Sequence, residues 1–96
     1  LSRKDVLQIV KIQFGILAKR LKESDIKIEA TDEALEWIAL EGYDPQFGAR
    51  PIKRVMQREV LNQLSKELLA GTIAANSKIL VDLKDGALSF ENSKSA

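Results

Sequence analysis

The sequence predicts an α+β domain in which three helices pack on a small three-stranded sheet, in the order helix, strand, helix, helix, strand, strand. Three observations carry this reading. Apolar residues recur at spacings of three and four over 6–21 and again over 52–68, each time tracing one face of a helix. Residues 26–30 alternate apolar and polar side chains, and 78–83 are strand-like. An Asp85-Gly86 pair separates the second of these runs from Leu88-Ser89-Phe90, a strong hairpin signal. The strand at 26–30 is too short to stand alone, so it is expected to join the hairpin.

In the first helix Ser2 is placed to cap and Asp5 falls at the third helical position. Val6, Ile9, Val10, Phe14, Leu17 and Leu21 form its stripe, ending near Glu23, while Ile12 and Ile16 lie off it. Gly15 costs about 1 kcal/mol against Ala, a cost that close packing or a slight bend would justify. Thr31-Asp32-Glu33 opens the second helix with a capping threonine and two acids where the helix dipole favours them. Leu35, Ile38 and Ala39 make its buried face, Trp37 is expected to be partly buried, and Gly42 is expected to end it as a left-handed cap. In the turn that follows, Pro45 biases Asp44 away from helical geometry, and Tyr43 and Phe47 are expected to pin the turn to the core. Pro51 suits a helix start. Ile52, Val55, Met56, Val60, Leu64 and Leu68 then run at helical spacing, with Leu61 and Leu69 widening the stripe and Gly71 closing a helix of about 20 residues. Residues 1–91 are read as the domain and 92–96 as a disordered tail, with fraying from Glu91.

Composition narrows the chemistry. Ninety-six residues make one small domain, with 45% apolar and 30% charged residues and a formal net charge of +1. That charge argues against a protein that coats nucleic acid or an anionic membrane. The chain has no Cys and no His, so it lacks thiolate ligands, disulfides, the usual metal ligand and the commonest neutral-pH base. No apolar run approaches the roughly 20 residues of a membrane span, and no secretory pattern opens the chain; both fit a cytoplasmic location. The glycines at 15, 42, 48, 71 and 86 form no phosphate-cradling loop, and no nucleophile has an identifiable base beside it. Asp32-Glu33 is explained by the helix dipole rather than by catalysis or a metal.

What remains is Arg50, directly before the Pro51 that starts a helix. A helix start offers unpaired N–H groups and positive potential, and an arginine there points either to an anion site, phosphate above all, or to a solvated helix corner. Arg54 and Arg58 follow at intervals of four with Lys53 beside them. Three readings compete for this basic face: solvated surface, a helix that reads nucleic acid, or one wall of a nucleotide site or oligomer interface completed elsewhere. The near-zero net charge and the acids Glu41, Glu59 and Glu67 weigh against nucleic acid.

The run Gly42-Tyr43-Asp44-Pro45-Gln46-Phe47-Gly48-Ala49-Arg50-Pro51-Ile52-Lys53-Arg54 resembles the sensor-2 segment of the Clp-type AAA+ unfoldases. The likeness extends over nearly the whole chain, from the Leu-Ser-Arg opening to the final hairpin, and is closest to the small C-terminal lid of the second ATPase module of ClpB-type disaggregases. The resemblance implies the AAA+ small-domain fold, with Gly48 and Ala49 letting the backbone approach a nucleotide and Arg50 as the sensor-2 contact to its phosphates. It also implies ATP or ADP as ligand, with Mg²⁺ in the full-length protein and not on this chain. The implied partners are a large AAA+ subdomain, neighbouring subunits of a homohexamer, and unfolded or aggregated protein substrates, with no nucleic acid or membrane. Packing on a neighbouring subunit would use Ile12, Ile16 and the basic helix face. The Walker motifs would lie on the large subdomain, so this chain is not expected to hydrolyse ATP alone. The lid of a protease-coupled Clp unfoldase is the alternative, and a free-standing protein- or DNA-binding module the reading of a different class.

Overall fold

The computed structural model describes residues 2–76 and 78–92. Helix α1 (Arg3–Lys22) leads to strand β1 (Ile28–Ala30), helix α2 (Asp32–Glu41), a long helix α3 (residues 52–70), and the hairpin β2 (Ile79–Lys84) and β3 (Ala87–Asn92). This is the predicted order. The sheet runs β1-β2-β3, with β1 parallel to β2 (Ile28 opposite Ile79) and β2 antiparallel to β3 (Val81 opposite Phe90). Asp85 (φ 52°) and Gly86 (φ 78°) form the two-residue hairpin loop, both with the positive φ that a type I′ turn demands.

Local chemistry sets the helix ends. Ser2 and Asp5 form a reciprocal capping box: the Asp5 N–H donates to the Ser2 hydroxyl at 3.2 Å and the Ser2 N–H to the Asp5 carboxylate at 3.1 Å. The Thr31 hydroxyl caps α2 by accepting from the Ala34 N–H at 3.1 Å. It also donates to the Asp82 carboxylate at 3.0 Å, tying the start of α2 to the central strand. Gly71 closes α3 in the left-handed conformation, as expected. Val6, Val10 and Phe14 of α1, Ile38 of α2, Ile52, Val60 and Leu64 of α3 and Ile79 and Val81 of β2 fill one core, and Trp37 packs against it half-buried.

Four expectations need correction. First, α3 is not uniformly α-helical: Met56–Asn62 is a π-helical segment between Ile52–Val55 and Gln63–Ala70. Met56 and Val60 within the segment and Leu64 just after it are all buried. Leu69 does not widen that stripe; it is 90% exposed. Second, Gly42 is not left-handed: its φ is −94° and ψ 2°. Its role is close approach, because a Cβ there would lie 2.7 Å from Ile52 Cγ1 and 2.9 Å from Ile52 Cα. Third, Tyr43 and Phe47 do not anchor the turn; they are 42% and 51% exposed. Fourth, Glu91 and Asn92 belong to β3 rather than to a tail. The Asn92 amide exchanges hydrogen bonds with the backbone of Ala74, at 2.8 and 2.7 Å, and so fastens the strand's end to the loop after α3. The remainder of the expected tail, 93–96, lies outside the described residues.

Gly15 is exposed within α1, and a Cβ there would meet nothing within 4 Å. Two glycine substitutions should therefore move stability in opposite directions in a denaturant titration. Gly15→Ala is expected to stabilise by about 0.5–1 kcal/mol through helix propensity. Gly42→Ala is expected to destabilise by about 1–3 kcal/mol, because one of the obstructing atoms, Ile52 Cα, is backbone and cannot swing aside. The Asp82 carboxyl is held below its usual range, chiefly by the Leu83 N–H and next by the Thr31 hydroxyl. A depressed folded-state pKa contributes stability above the unfolded pKa of about 3.9 that is lost as pH falls through the folded value. Thermal melts should show Asp82→Asn less stable than the parent at pH 6–7, with the gap closing below about pH 4.

Candidate functional site

The turn between α2 and α3 is built from one side chain and two backbone bonds. The Asp44 carboxylate accepts from the Gln46 N–H at 2.7 Å and the Phe47 N–H at 3.0 Å. Asp44 and Gly48 exchange N–H···O bonds at 2.8 and 2.6 Å, closing a five-residue loop. Gly48 sits at φ 64°, where a side chain would be strained. The Ala49 carbonyl then accepts the Ile52 N–H at 3.1 Å, and Ala49 packs against the core. The loop's hydrogen bonds close it without the aromatic rings, and Tyr43 and Phe47 both stay substantially exposed.

Arg50 emerges from this loop exposed, one residue before Pro51 and two before the first residue of α3. Its guanidinium carbon lies 5.8 Å from the centroid of the Phe47 ring. Among the described residues its side chain has no carboxylate within ion-pair distance and no protein acceptor. Lys53 and Arg54 are likewise without an acidic partner there, whereas Arg58, in the π-helical segment, pairs with Glu59 at 3.1 Å. The structure thus brings Gly48, Ala49 and Arg50 together at the head of α3, with Lys53 and Arg54 one turn further on. An exposed arginine fork on a hydrogen-bonded loop beside a helix start can take an oxyanion, bidentately if geometry allows.

No group of three His, Cys, Asp or Glu residues among the described residues could hold a metal ion. Asp32 and Glu33 are exposed in the first turn of α2. An apolar groove of about 720 Å³ lies between the start of α1 and the end of α2, lined by Val6, Leu7, Ala39, Leu40 and Tyr43 with Arg3 and Glu36 among its charged residues. Ile12 and Ile16, off the α1 stripe, are 60% and 50% exposed.

A family model described as the C-terminal, D2-small domain of ClpB protein matches residues 1–81. The chain belongs to this ClpB D2-small family. It is 45% identical over 92 residues to the chaperone protein ClpB of Porphyromonas gingivalis, covering 96% of this chain and 11% of that protein. It is 45% identical over 91 residues to the chaperone protein ClpB of Meiothermus ruber, covering 95% of this chain and 11% of that protein. To the probable chaperone protein ClpB 1 of Chlorobaculum tepidum it is 42% identical over 88 residues, covering 92% of this chain and 20% of that protein. The chain therefore spans about a tenth to a fifth of the length of these relatives. The α+β architecture agrees with the family. No helix among the described residues is long and apolar enough to cross a membrane.

Sequence reading singled out Arg50 and missed Asp44 as the residue that shapes its loop. The signal was present: an aspartate two and three residues before the N–H groups it accepts is the ordinary pattern of an Asx turn.

Proposed function

We propose that this domain is the lid of an ATPase module, closing over ATP or ADP bound to a large AAA+ subdomain of the same protein. Arg50 contacts the nucleotide phosphates as the sensor-2 residue, and Gly48 and Ala49 let the backbone approach. The observation that carries this reading is the exposed Arg50 fork, without an acidic partner among the described residues and held at the head of α3 by a loop closed on Asp44 and Gly48. Loss of the γ-phosphate removes a contact made by Arg50, so lid position follows hydrolysis. Mg²⁺ and the catalytic groups belong to the large subdomain. The whole protein is then a cytoplasmic, homohexameric disaggregase acting on unfolded or aggregated proteins. The ClpB family match supports this over a protease-coupled unfoldase. The exposed Ile12 and Ile16 and the cations Lys53 and Arg54 serve contacts within the ring.

Arg50→Ala in the full-length protein is the test. Hydrogen bonds to charged groups contribute about 1.5–3 kcal/mol, so ATP turnover should fall about 10- to 100-fold, and disaggregation with it, while the circular dichroism melt stays unchanged. Unchanged turnover contradicts the assignment. The isolated domain should bind ATP weakly at most in a calorimetric titration, because it supplies one side of the site; tight binding would contradict a divided site.

A further inference from the structure

Phe47 is half-exposed and is not among the side chains packed on the core. Its backbone, however, is firmly placed: its N–H donates to the Asp44 carboxylate and its carbonyl accepts the Arg50 N–H at 3.3 Å. That arrangement sets the ring beside the Arg50 guanidinium, at cation–π distance. We infer that Phe47 is a positioning residue for Arg50, holding the guanidinium in place for a phosphate before the phosphate arrives. The inference rests on the nucleotide-lid reading.

The choice of partner matters physically. An arginine side chain free in water loses much rotamer freedom when it binds, and that loss weakens binding. A carboxylate would restrain the arginine, but it would neutralise the charge and occupy the N–H fork that a phosphate needs. An aromatic face restrains the cation through the ring quadrupole and accepts none of its five conventional hydrogen-bond donors. Phe47 therefore restrains Arg50 without competing for its ligand. Asp44 acts one step back: by accepting the Gln46 and Phe47 N–H groups it fixes where the ring stands.

The test is a double-mutant cycle in the full-length protein, reading kcat/KM for ATP. Phe47→Leu keeps an apolar side chain of similar size at an exposed site and removes only the ring. It should lower kcat/KM by about two- to fivefold, the strength of an exposed cation–π pair. Phe47→Tyr should restore the parent value, and Phe47→Leu should have no effect in an Arg50→Ala background. A Phe47→Leu enzyme equal to the parent, or an equal loss in the Arg50→Ala background, overturns the proposal while leaving Arg50 as the phosphate contact. If Arg50→Ala itself is silent, the nucleotide reading fails and this inference falls with it. Independently, the Arg50 side-chain protons of the 96-residue chain should show a ring-current shift in NMR spectra that Phe47→Leu abolishes. Identical shifts in both proteins would show that the pair does not form and would also overturn the proposal.

Discussion

Where α2 ends, the missing Cβ of Gly42 allows the backbone of Ile52 to come within a distance that any side chain would forbid. Ile52 is itself almost wholly buried, so this contact joins the end of α2 to the start of α3 at the core's edge. The intervening residues must therefore return on themselves within nine positions. They do so by closing Asp44 on Gly48, and the chain that leaves this loop delivers Arg50 to the head of α3. Helix packing and the candidate site are thus consequences of a single close approach. The loop does not need its aromatic residues as anchors, which frees Phe47 to stand beside Arg50.

The rest of the domain supports that corner. The Thr31 hydroxyl caps α2 and binds Asp82 in the central strand, so the helix that ends at Gly42 is fixed at its other end to the sheet. In α3 Met56, Val60 and Leu64 stay on the core as the helix runs away from the turn. Its basic residues remain at the surface. Asn92 holds the last strand to the loop after α3, closing the fold where the helix ends. Each device is an ordinary cap, clamp or packing stripe; together they hold one exposed arginine on a firm base.

Much of this architecture was legible in the chain. The capping box of Ser2 and Asp5, the Thr31 cap, the Asp85-Gly86 hairpin and the apolar stripes are local patterns with local causes, and the structure contains all of them. Non-local causes were not legible. A glycine after a helix reads as a left-handed cap, and only the fold shows that Gly42 is required by a residue ten positions on. Apolar spacing says which side chains face the core but not how tightly the backbone winds, so the run from Ile52 to Leu64 read as ordinary helix and the π segment was not foreseen. Two aromatic residues beside a turn suggested anchors, because hydrophobicity indicates burial but not which groups have already closed the loop. For the site, Arg50 was visible from its place before Pro51, and its likeness to the sensor-2 segment named a role for it. Asp44 was read through its proline neighbour, so its work as a double acceptor went unseen.

Because packing and hydrogen bonds within the chain hold the corner, its rigidity is expected to be a property of the chain itself. Backbone ¹⁵N relaxation on the 96-residue protein in the absence of nucleotide measures this directly. Order parameters at residues 43–50 should match those of α1 and α3, near the 0.85 typical of rigid backbone. Values below about 0.6 across the loop would show that the corner does not hold Arg50 in place, and would contradict the account.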